Sequence, residues 1–385
     1  MRDAVICAAV RTPVGKRGGG LSGVHAADLS AAVLTALVER TGLDPAVVDD
    51  VFWGCVSQVG EQTSNIGRVA ALAAGWPESV PGTTIDRQCG SSQQAVAFAA
   101  ATVVSGQADV VVAGGVESMS RVPMGSSAGD GSAGRPLGPS FLARYGGVAP
   151  NQGVGAEMIA ARWGFSRTQL DEFALRSHER AAKAQADGAF EDQIVPVTTP
   201  DGVVRADEGI RTGGTLEKLA ALKTPFQADG VISAGNASQI SDGSAALLVT
   251  TSEKARELGL TPVVRVHTTV VAGDDPVIML TAPIPATQKL LARSGVPLGE
   301  IGVFEVNEAF APVPLAWQHD LGADLEAVNP LGGAIALGHP LGASGARIMT
   351  TLVHHMQATG SRYGLQTMCE GGGMANATIL ELLGA

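Results

Sequence analysis

Two cysteines in glycine-rich stretches are the residues of this sequence best suited to nucleophilic chemistry. Cys89 lies in DRQCGSS, residues 86–92, and Cys369 lies in TMCEGGGMAN, residues 367–376. A helix is predicted to begin at about Cys89, and the dipole and free N–H groups of a helix N-terminus favour a thiolate. This position therefore suggests a nucleophile, but a buried structural cysteine is the commoner fate of a free thiol and remains open.

The segment around Cys369 reads as a strand, a glycine turn and a second strand over residues 364–382. Glycines after a strand leave backbone N–H groups exposed, which suits an oxyanion hole, and a plain turn is the alternative. Glu370 follows Cys369 directly. If its carboxylate faced Cys369 it would raise the pKa of that thiol, whereas from the other face of the strand it would do little.

A histidine and an asparagine are the next candidates. His339 lies in GGAIALGHPLGASGAR, residues 332–347, before a proline at a predicted helix start. Its ring could accept a proton or donate to an oxyanion, and a helix cap or surface histidine is the alternative. Asn307 in EVNEAFA, residues 305–311, follows a predicted strand and opens a helix. It is either an N-cap or an amide that orients a water or a carbonyl oxygen.

Alternating strands and helices must position these residues. In the first third, strands are predicted at 3–9, 48–56 and 109–115, and helices at 26–41 and from about Cys89 to near Gly106. The last third repeats this order over 301–310, 327–357 and 364–382, with 110–115 corresponding to 367–372. The pattern predicts a layered α/β fold of two related halves, in which the helices after Cys89 and His339 face one another.

The middle of the chain differs in character. Residues 124–140 are rich in Gly, Ser and Pro and predict an irregular loop. Residues 166–188 predict a polar helix with Ser166 as N-cap, Gln169 completing a capping box and Gly188 ending it. We therefore predict an N-terminal half over residues 1–119, to which 231–260 return, a loop domain over 120–230 and a C-terminal half over 261–385.

Composition excludes several classes of protein. The chain has 385 residues, 45% of them hydrophobic, and a net charge of −11, which argues against nucleic-acid and anionic-membrane binding. The 4 cysteines form no C-x-x-C pair, so neither a zinc site nor a disulfide framework is predicted. The first apolar run is too short for a signal peptide, and no transmembrane-type run occurs. We expect a soluble cytoplasmic protein.

Taken together and in this order, the motifs resemble those of the thiolases. They are DRQCGSS, GNASQISDG, NEAFA, GGAIALGHPLGASGAR and CEGGGMA, and the resemblance runs from AVRTPVGK at 9–16 to MANATILEL at 374–382. It implies a five-layered αβαβα fold of two similar halves with an inserted loop domain. It also implies an oligomer, a homodimer or homotetramer, that needs no metal or redox cofactor and uses coenzyme A as co-substrate.

The resemblance also implies a mechanism. Cys89 would attack the 3-keto carbon of a 3-ketoacyl-CoA, His339 would deprotonate it, and Cys369 would protonate the acetyl-CoA enolate that is released. Free coenzyme A would then take the acyl group. One oxyanion would meet His339 and a water held by Asn307, and the other would meet the backbone N–H groups of Cys89 and Gly371.

Contacts to substrate are implied residue by residue. Ala234 and Ser238 resemble the contacts to pantetheine, and Arg211 and Phe226 match positions that flank the nucleotide end of coenzyme A. Arg211 would supply positive charge that the acidic chain otherwise lacks.

The acyl site departs from that of short-chain members of the family. Asn151 and Gln152 stand where short-chain enzymes often carry His-Met, which favours a longer or bulkier acyl group. Glu370 stands where many members have an apolar residue, and Asp86 stands where Asn is common.

The leading prediction is therefore a degradative 3-ketoacyl-CoA thiolase of lipid metabolism, of the kind used in fatty acid β-oxidation. The first alternative is a biosynthetic acetyl-CoA acetyltransferase. A ketosynthase that uses an acyl carrier would pair its cysteine with two histidines, and Cys369 replaces the second here. A non-catalytic protein that binds coenzyme A or lipid is the remaining alternative, and the presence of Cys89, His339, Cys369 and Asn307 counts against it.

Overall fold

Strands and helices alternate along the computed structural model, which describes residues 2–384. The strands are β1 (Val5–Arg11), β2 (Gly15–Lys16), β3 (Asp50–Gly54), β4 (Thr83–Ile85), β5 (Val110–Ser118), β6 (Val197–Thr199), β7 (Gly202–Val204), β8 (Ser241–Thr250), β9 (Val264–Gly273), β10 (Ile301–Val306), β11 (Tyr363–Glu370) and β12 (Met374–Leu382). The α-helices are α1 (Ala26–Thr41), α2 (Ile66–Ala73), α3 (Ser91–Ser105), α4 (Pro139–Arg144), α5 (Gln152–Trp163), α6 (Arg167–Ala186), α7 (Leu216–Ala220), α8 (Ser252–Glu257), α9 (Pro283–Ser294), α10 (Pro312–Leu321), α11 (Ala334–Leu337) and α12 (Leu341–Thr359).

Two groups of four strands share one arrangement. The first runs β1-β8-β5-β3 and the second runs β9-β12-β11-β10. In each group the first two pairings are antiparallel and the third is parallel. The groups join where β1 pairs with β9, a ladder of only two residue pairs. The two similar halves predicted from the repeat are therefore present in the strand order.

Helices cover both groups and fill the space between them. α1 and α2 pack on one face of the first group, and α9 packs on the second. α3 and α12 pack against each other between the groups, where α12 contacts β5 and β8 on one side and β10 and β11 on the other. Alternate residues of β5 follow this division, because Val110 and Val112 pack with α1 while Val111 and Ala113 pack with α3. The predicted five-layered αβαβα fold is confirmed.

The predicted correspondence between the halves was wrong in register. Gly115 is the last residue of β5 that pairs with the parallel strand β3, and Thr367 is the last residue of β11 that pairs with β10. Gly115 therefore corresponds to Thr367 and not to Gly372. The glycines misled the alignment because Gly115 lies inside its strand, whereas residues 371–373 form the turn between β11 and β12.

The segment between β5 and β8 carries α4 to α7 and the hairpin of β6 and β7. The capping box of Ser166 and Gln169 at the start of α6 is confirmed, and Gly188 follows its end with a left-handed φ of 77°. After this segment the chain returns to the first group as β8, between β1 and β5. The boundaries proposed for the three domains stay a prediction, and their outermost residues, Met1 and Ala385, lie outside the described residues.

Candidate active site

The loop between β4 and α3 carries Cys89. Gln88 takes a left-handed φ of 49°, Gly90 is the N-cap, and the helix starts at Ser91. The Ser91 hydroxyl accepts a bond of 2.9 Å from the N–H of Arg87 and donates one of 2.6 Å to the carbonyl of Gln88, so the first turn of the helix holds the loop. The Cys89 side chain is 4% exposed.

The thiol of Cys89 is protonated in the resting protein, contrary to the expectation of a thiolate at a helix N-terminus. Burial, and secondarily the carboxyl group of Glu370, raise its pKa to about 12. The backbone N–H groups of Cys89 and Gly371 and the side chain of Gln152 lie within hydrogen-bonding reach and oppose that rise. The prediction failed because Cys89 lies two residues before α3 and because desolvation outweighs the dipole. An adjacent base is therefore needed to activate this sulfur.

Cys369 lies close to Cys89 from the second half of the molecule. It is 1% exposed near the end of β11, where it pairs with Ala375 of β12. Burial raises the pKa of the Cys369 thiol well above its ordinary value, and the nearby Cys89 raises it further. The turn that follows brings the N–H of Gly371 close enough to Cys89 to oppose the rise in the pKa of its thiol. The two thiols and this backbone donor therefore lie near one another.

His339 precedes α12 and is held in one tautomer. Its Nδ1 lies 2.6 Å from the hydroxyl oxygen of Ser344, and that hydroxyl donates to the carbonyl of Pro340 over 2.9 Å. Nδ1 therefore carries the hydrogen and Nε2 keeps a lone pair. Asn307 Nδ2 lies 3.4 Å from Nε2. Burial, with help from the charge of Arg347, lowers the pKa of His339 to about 3, so the ring is a neutral proton acceptor.

Asn307 is not the N-cap that its place after a strand suggested. Its N–H donates to the carbonyl of Thr367 over 3.1 Å, and the N-cap of α10 is Ala311. The side chain is buried, and its Oδ1 has no hydrogen-bond partner within residues 2–384. The amide therefore faces His339 with its nitrogen and offers a free acceptor with its oxygen.

Close backbone contacts bring α12 to this point. A Cβ at Gly342 would lie 2.5 Å from the carbonyl oxygen of Val116, so only glycine permits the approach. The N–H of Gly342 donates to Glu117 over 2.8 Å, and the same buried carboxylate accepts the N–H groups of Val56 and Ser57. Sequence reasoning missed Glu117, for which there was no local signal. It also missed Ser344, although a hydroxyl in the first helical turn after His339 was a local signal that could have identified it.

The residues expected to contact coenzyme A fall into two places. Arg211 and Ala234 line one cavity together with His178 and Gln239. His178 Nδ1 accepts the N–H of Arg211 over 3.1 Å, and burial followed by the charge of Arg211 lowers the pKa of His178 to about 4.

The other two expected contacts lie along residues 309–310. Phe226 packs edge-on against Phe310 with ring centroids 6.1 Å apart. The N–H of Ser238 donates to the carbonyl of Ala309 over 2.9 Å, which fixes Ser238 next to the same short segment.

Of the two residues expected at the acyl site, one lies near Cys89. The side chain of Gln152 is close enough to oppose the rise in the pKa of the Cys89 thiol. The side-chain oxygen of Asn151 instead caps α5, accepting the N–H groups of Gly153 and Val154 over 2.9 and 3.2 Å, and the residue is exposed.

Within the part of the chain that the structure describes, no cluster of three or more His, Cys, Asp or Glu residues is arranged to hold a metal ion. None of the helices of residues 2–384 combines the length and the apolar character needed to cross a bilayer.

Two family models match nearly the whole chain. Residues 4–253 match the model of the thiolase N-terminal domain, and residues 260–382 match that of the thiolase C-terminal domain. A steroid 3-ketoacyl-CoA thiolase of Mycobacterium tuberculosis is 49% identical over 388 residues, covering 100% of this chain and 95% of the relative. A β-ketoadipyl-CoA thiolase of Escherichia coli is 45% identical over 401 residues, covering 99% and 100%.

A solved structure gives the same result in three dimensions. The crystal structure of the Bacillus anthracis acetyl-CoA acetyltransferase superposes with a TM-score of 0.91 at 40% identity, covering 100% of this chain and 99% of that one.

Proposed function

The chain belongs to the thiolase family, and from that premise we propose that it cleaves a 3-ketoacyl-CoA with coenzyme A through an acyl-enzyme on Cys89. The products are acetyl-CoA and an acyl-CoA shortened by two carbons. One observation supports the residue assignment most strongly: the buried thiol of Cys369 and the backbone N–H groups of Cys89 and Gly371 all lie near the Cys89 sulfur. A second is the neutral His339, whose Nε2 keeps a lone pair that can accept a proton.

In the first half-reaction the Cys89 sulfur attacks the 3-keto carbon while its proton passes to His339. The bond between C2 and C3 then breaks, and the electron pair leaves on C2 as the enolate of acetyl-CoA. Cys369 gives its proton to this carbon, which releases acetyl-CoA and leaves a thioester on Cys89. Because both thiols are protonated at neutral pH, Cys369 starts with the proton that the enolate needs.

In the second half-reaction the thiol of coenzyme A gives its proton to Cys369 and attacks the thioester carbon. The acyl group moves to coenzyme A, and the Cys89 sulfur leaves as a thiolate that takes back the proton held by His339. Coenzyme A is thus a co-substrate, and the protein ends with both thiols protonated as it began.

Two oxyanions need donors. One develops on the oxygen of the attacked carbonyl or of the enolate, where His339 and a water on Asn307 Oδ1 would donate. The other would be met by the N–H groups of Cys89 and Gly371, both of which act on the Cys89 thiol. Fixed backbone donors are effective because they need not reorient during the reaction.

For the substrate, we propose a longer or bulkier acyl group and the degradative direction, as in β-oxidation. Gln152 occupies the nucleophile's side of the acyl site, where it can hydrogen-bond to a polar acyl group. The relatives' names point the same way, since one acts on a steroid 3-ketoacyl-CoA and another on β-ketoadipyl-CoA. The Bacillus anthracis enzyme supports the alternative, a biosynthetic acetyl-CoA acetyltransferase.

A thiolysis profile over acyl chain length and ring content tests this proposal. We expect kcat/KM for long or ring-bearing 3-ketoacyl-CoAs to exceed that for acetoacetyl-CoA by about tenfold or more. Preference for acetoacetyl-CoA would favour the biosynthetic alternative, and cleavage of none would overturn the function. Gln152→Ala should change the ratio between substrates. The matched control Asn151→Ser, which keeps the helix cap, should leave the ratio unchanged.

We also propose that the chain works in the cytoplasm as a homodimer or homotetramer. The edge strand β4 pairs with β3 alone among the described strands, which leaves an edge that a second copy could extend. Light scattering after size-exclusion chromatography measures the state directly, and a monomer at working concentrations would contradict it.

A further inference from the structure

Glu370 is buried beside the nucleophile without any hydrogen bond. The residue is 0% exposed, and neither carboxyl oxygen has a hydrogen-bond partner among residues 2–384. A Cβ at Gly90 would lie 2.0 Å from its Oε1, so the carboxyl group packs directly on the backbone next to Cys89. Buried carboxyl groups normally accept hydrogen bonds from nearby donors. A buried carboxyl group without such a partner at the candidate active site therefore indicates a functional role.

The groups around this carboxyl come from three elements. The loop before α3 contributes Asp86, Arg87 and Cys89, and on β11 the preceding residue, Cys369, points to the other face of the strand. β12 contributes Asn376, whose amide donates to the carbonyl of Gly90 over 3.0 Å.

Arg87 supplies the positive charge nearby, but it makes no hydrogen bond to Glu370. Its Nη1 lies 3.9 Å from the sulfur of Met374, and its Nε is itself buried without a partner. Burial raises the pKa of Glu370 to about 8, with Arg87 opposing the rise and Asp86 adding to it. The carboxyl group is therefore mostly protonated near neutral pH and ionises on the alkaline side.

The sequence had suggested that Glu370 would do little from the face opposite Cys369. Side chains do alternate between the two faces of β11, so Glu370 points away from Cys369. On its own face, however, Glu370 packs on Gly90, the residue that follows Cys89. Its charge raises the pKa of both thiols.

We propose that Glu370 is a positioning residue that acts through Cys89: its carboxyl group, once ionised, suppresses formation of the Cys89 thiolate in the resting protein. The importance of this control rests on the proposed role of Cys89 as nucleophile, but the control itself needs no substrate. On the alkaline side of pH 8, where Glu370 is ionised, the sulfur is thereby protected from alkylation and oxidation until a substrate and His339 engage it.

The size of the effect follows from Coulomb's law. Two like charges roughly 6 to 12 Å apart at an effective dielectric of about 20 change the thiolate fraction by roughly ten- to a hundredfold. A thiolate of lower pKa is also a weaker nucleophile, which reduces the change in alkylation rate to roughly three- to tenfold.

Alkylation by iodoacetamide, followed by peptide mass spectrometry in the absence of substrate, tests the proposal. In the wild type, the logarithm of the Cys89 rate should rise with pH, flatten near pH 8 where Glu370 ionises, and rise again. Glu370→Gln should remove the flattening. It should match the wild type well below pH 8 and exceed it above by roughly three- to tenfold. Cys7, which is half-buried on β1, serves as the reference in the same sample and should not change.

Parallel profiles for the two proteins, or equal changes at Cys89 and Cys7, would overturn the proposal. If Glu370→Gln fails to fold, the wild-type profile alone decides, since a straight line through pH 8 excludes the coupling. Failure of the proposed function gives a different result, because thiolysis would then be absent while the shoulder in the alkylation profile remained.

Discussion

The loop before α3 and the loop before α12 occupy equivalent positions in the two halves, yet they carry different chemistry. α3 leads into β5 and α12 leads into β11, the corresponding strand. Burial raises the pKa of Cys89 to about 12 and lowers that of His339 to about 3. The same environment therefore keeps both side chains neutral, because it disfavours an anion in one half and a cation in the other.

The two loops differ in how completely their polar groups are paired. The loop of His339 is locked, with its ring on Ser344 and its N–H within 3.3 Å of Gln239 O. The loop of Cys89 lies against the bare carboxyl of Glu370. The second half thus fixes the orientation of the His339 ring, whereas Cys89 in the first half lies beside a carboxyl group that has no hydrogen-bond partner within residues 2–384.

The largest expected effect comes from removing the nucleophile. Cys89→Ala should lower kcat for thiolysis by about 10⁴-fold or more, because no other group can carry the acyl chain. The measurement is steady-state thiolysis, and Cys7→Ala is the matched control that should keep activity. Retained turnover in Cys89→Ala would contradict an acyl-enzyme on Cys89.

The next largest effect is expected from disturbing the close contact between Gly342 at the start of α12 and Val116 of β5. Gly342→Ala should lower the free energy of unfolding by about 3 kcal/mol, because its Cβ would overlap the backbone of Val116. Denaturant titration measures the change. Gly299→Ala is the control, since nothing lies within 4 Å of its Cβ and it should be close to neutral. Similar losses in both variants would show that α12 can shift away from β5.

The lock on the histidine ring can be removed separately. Ser344→Ala should lower kcat by about ten- to thirtyfold with little change in KM, because Nδ1 loses the acceptor that fixes the tautomer. Ser344→Thr keeps a hydroxyl and should restore most of the rate. Thr350→Ala removes the same type of helix hydrogen bond without a contact to His339, so an equal loss there would mean that only helix stability is affected.

The smallest expected effect is on stability in acid. The folded pKa of His339, about 3, is below its ordinary 6.5, so the unfolded chain binds the proton first as pH falls. The stability contributed by the neutral ring is present above pH 6.5 and is lost progressively down to about pH 3. His339→Gln should reduce the loss between about pH 6.5 and 5.5 by about 1 kcal/mol. An unchanged acid limb of the unfolding curve would contradict the lowered pKa.

Features set by local chemistry could be predicted from the sequence. The bounds of α1 at 26–41, the capping box at Ser166 and the hairpin of β11 and β12 depend on periodicity, caps and glycine turns within a few residues. The order of motifs along the chain likewise identified the family, which the matching family models confirm.

Features set by burial could not be predicted. Whether Cys89 is a thiolate depends on desolvation by residues from both halves, and Asn307 escapes its expected capping role because β11 takes its N–H. Glu117 joins the loop after β3 to the first turn of α12 through one carboxylate, and nothing within its own segment marks it for that role. Such features depend on tertiary packing. The residues next to them in the sequence do not reveal that packing.

The position of β8 has a consequence for how the protein is made. The first group of strands cannot close when β1, β3 and β5 have left the ribosome, because β8 lies between β1 and β5 and ends at Thr250. Residues 119–240 must therefore emerge before the nascent sheet receives its middle strand. Until then the buried edges of β1 and β5 are unpaired, a state in which long-range strand pairing is slow and aggregation competes. The strand order thus prolongs the time for which these strand edges are exposed during synthesis.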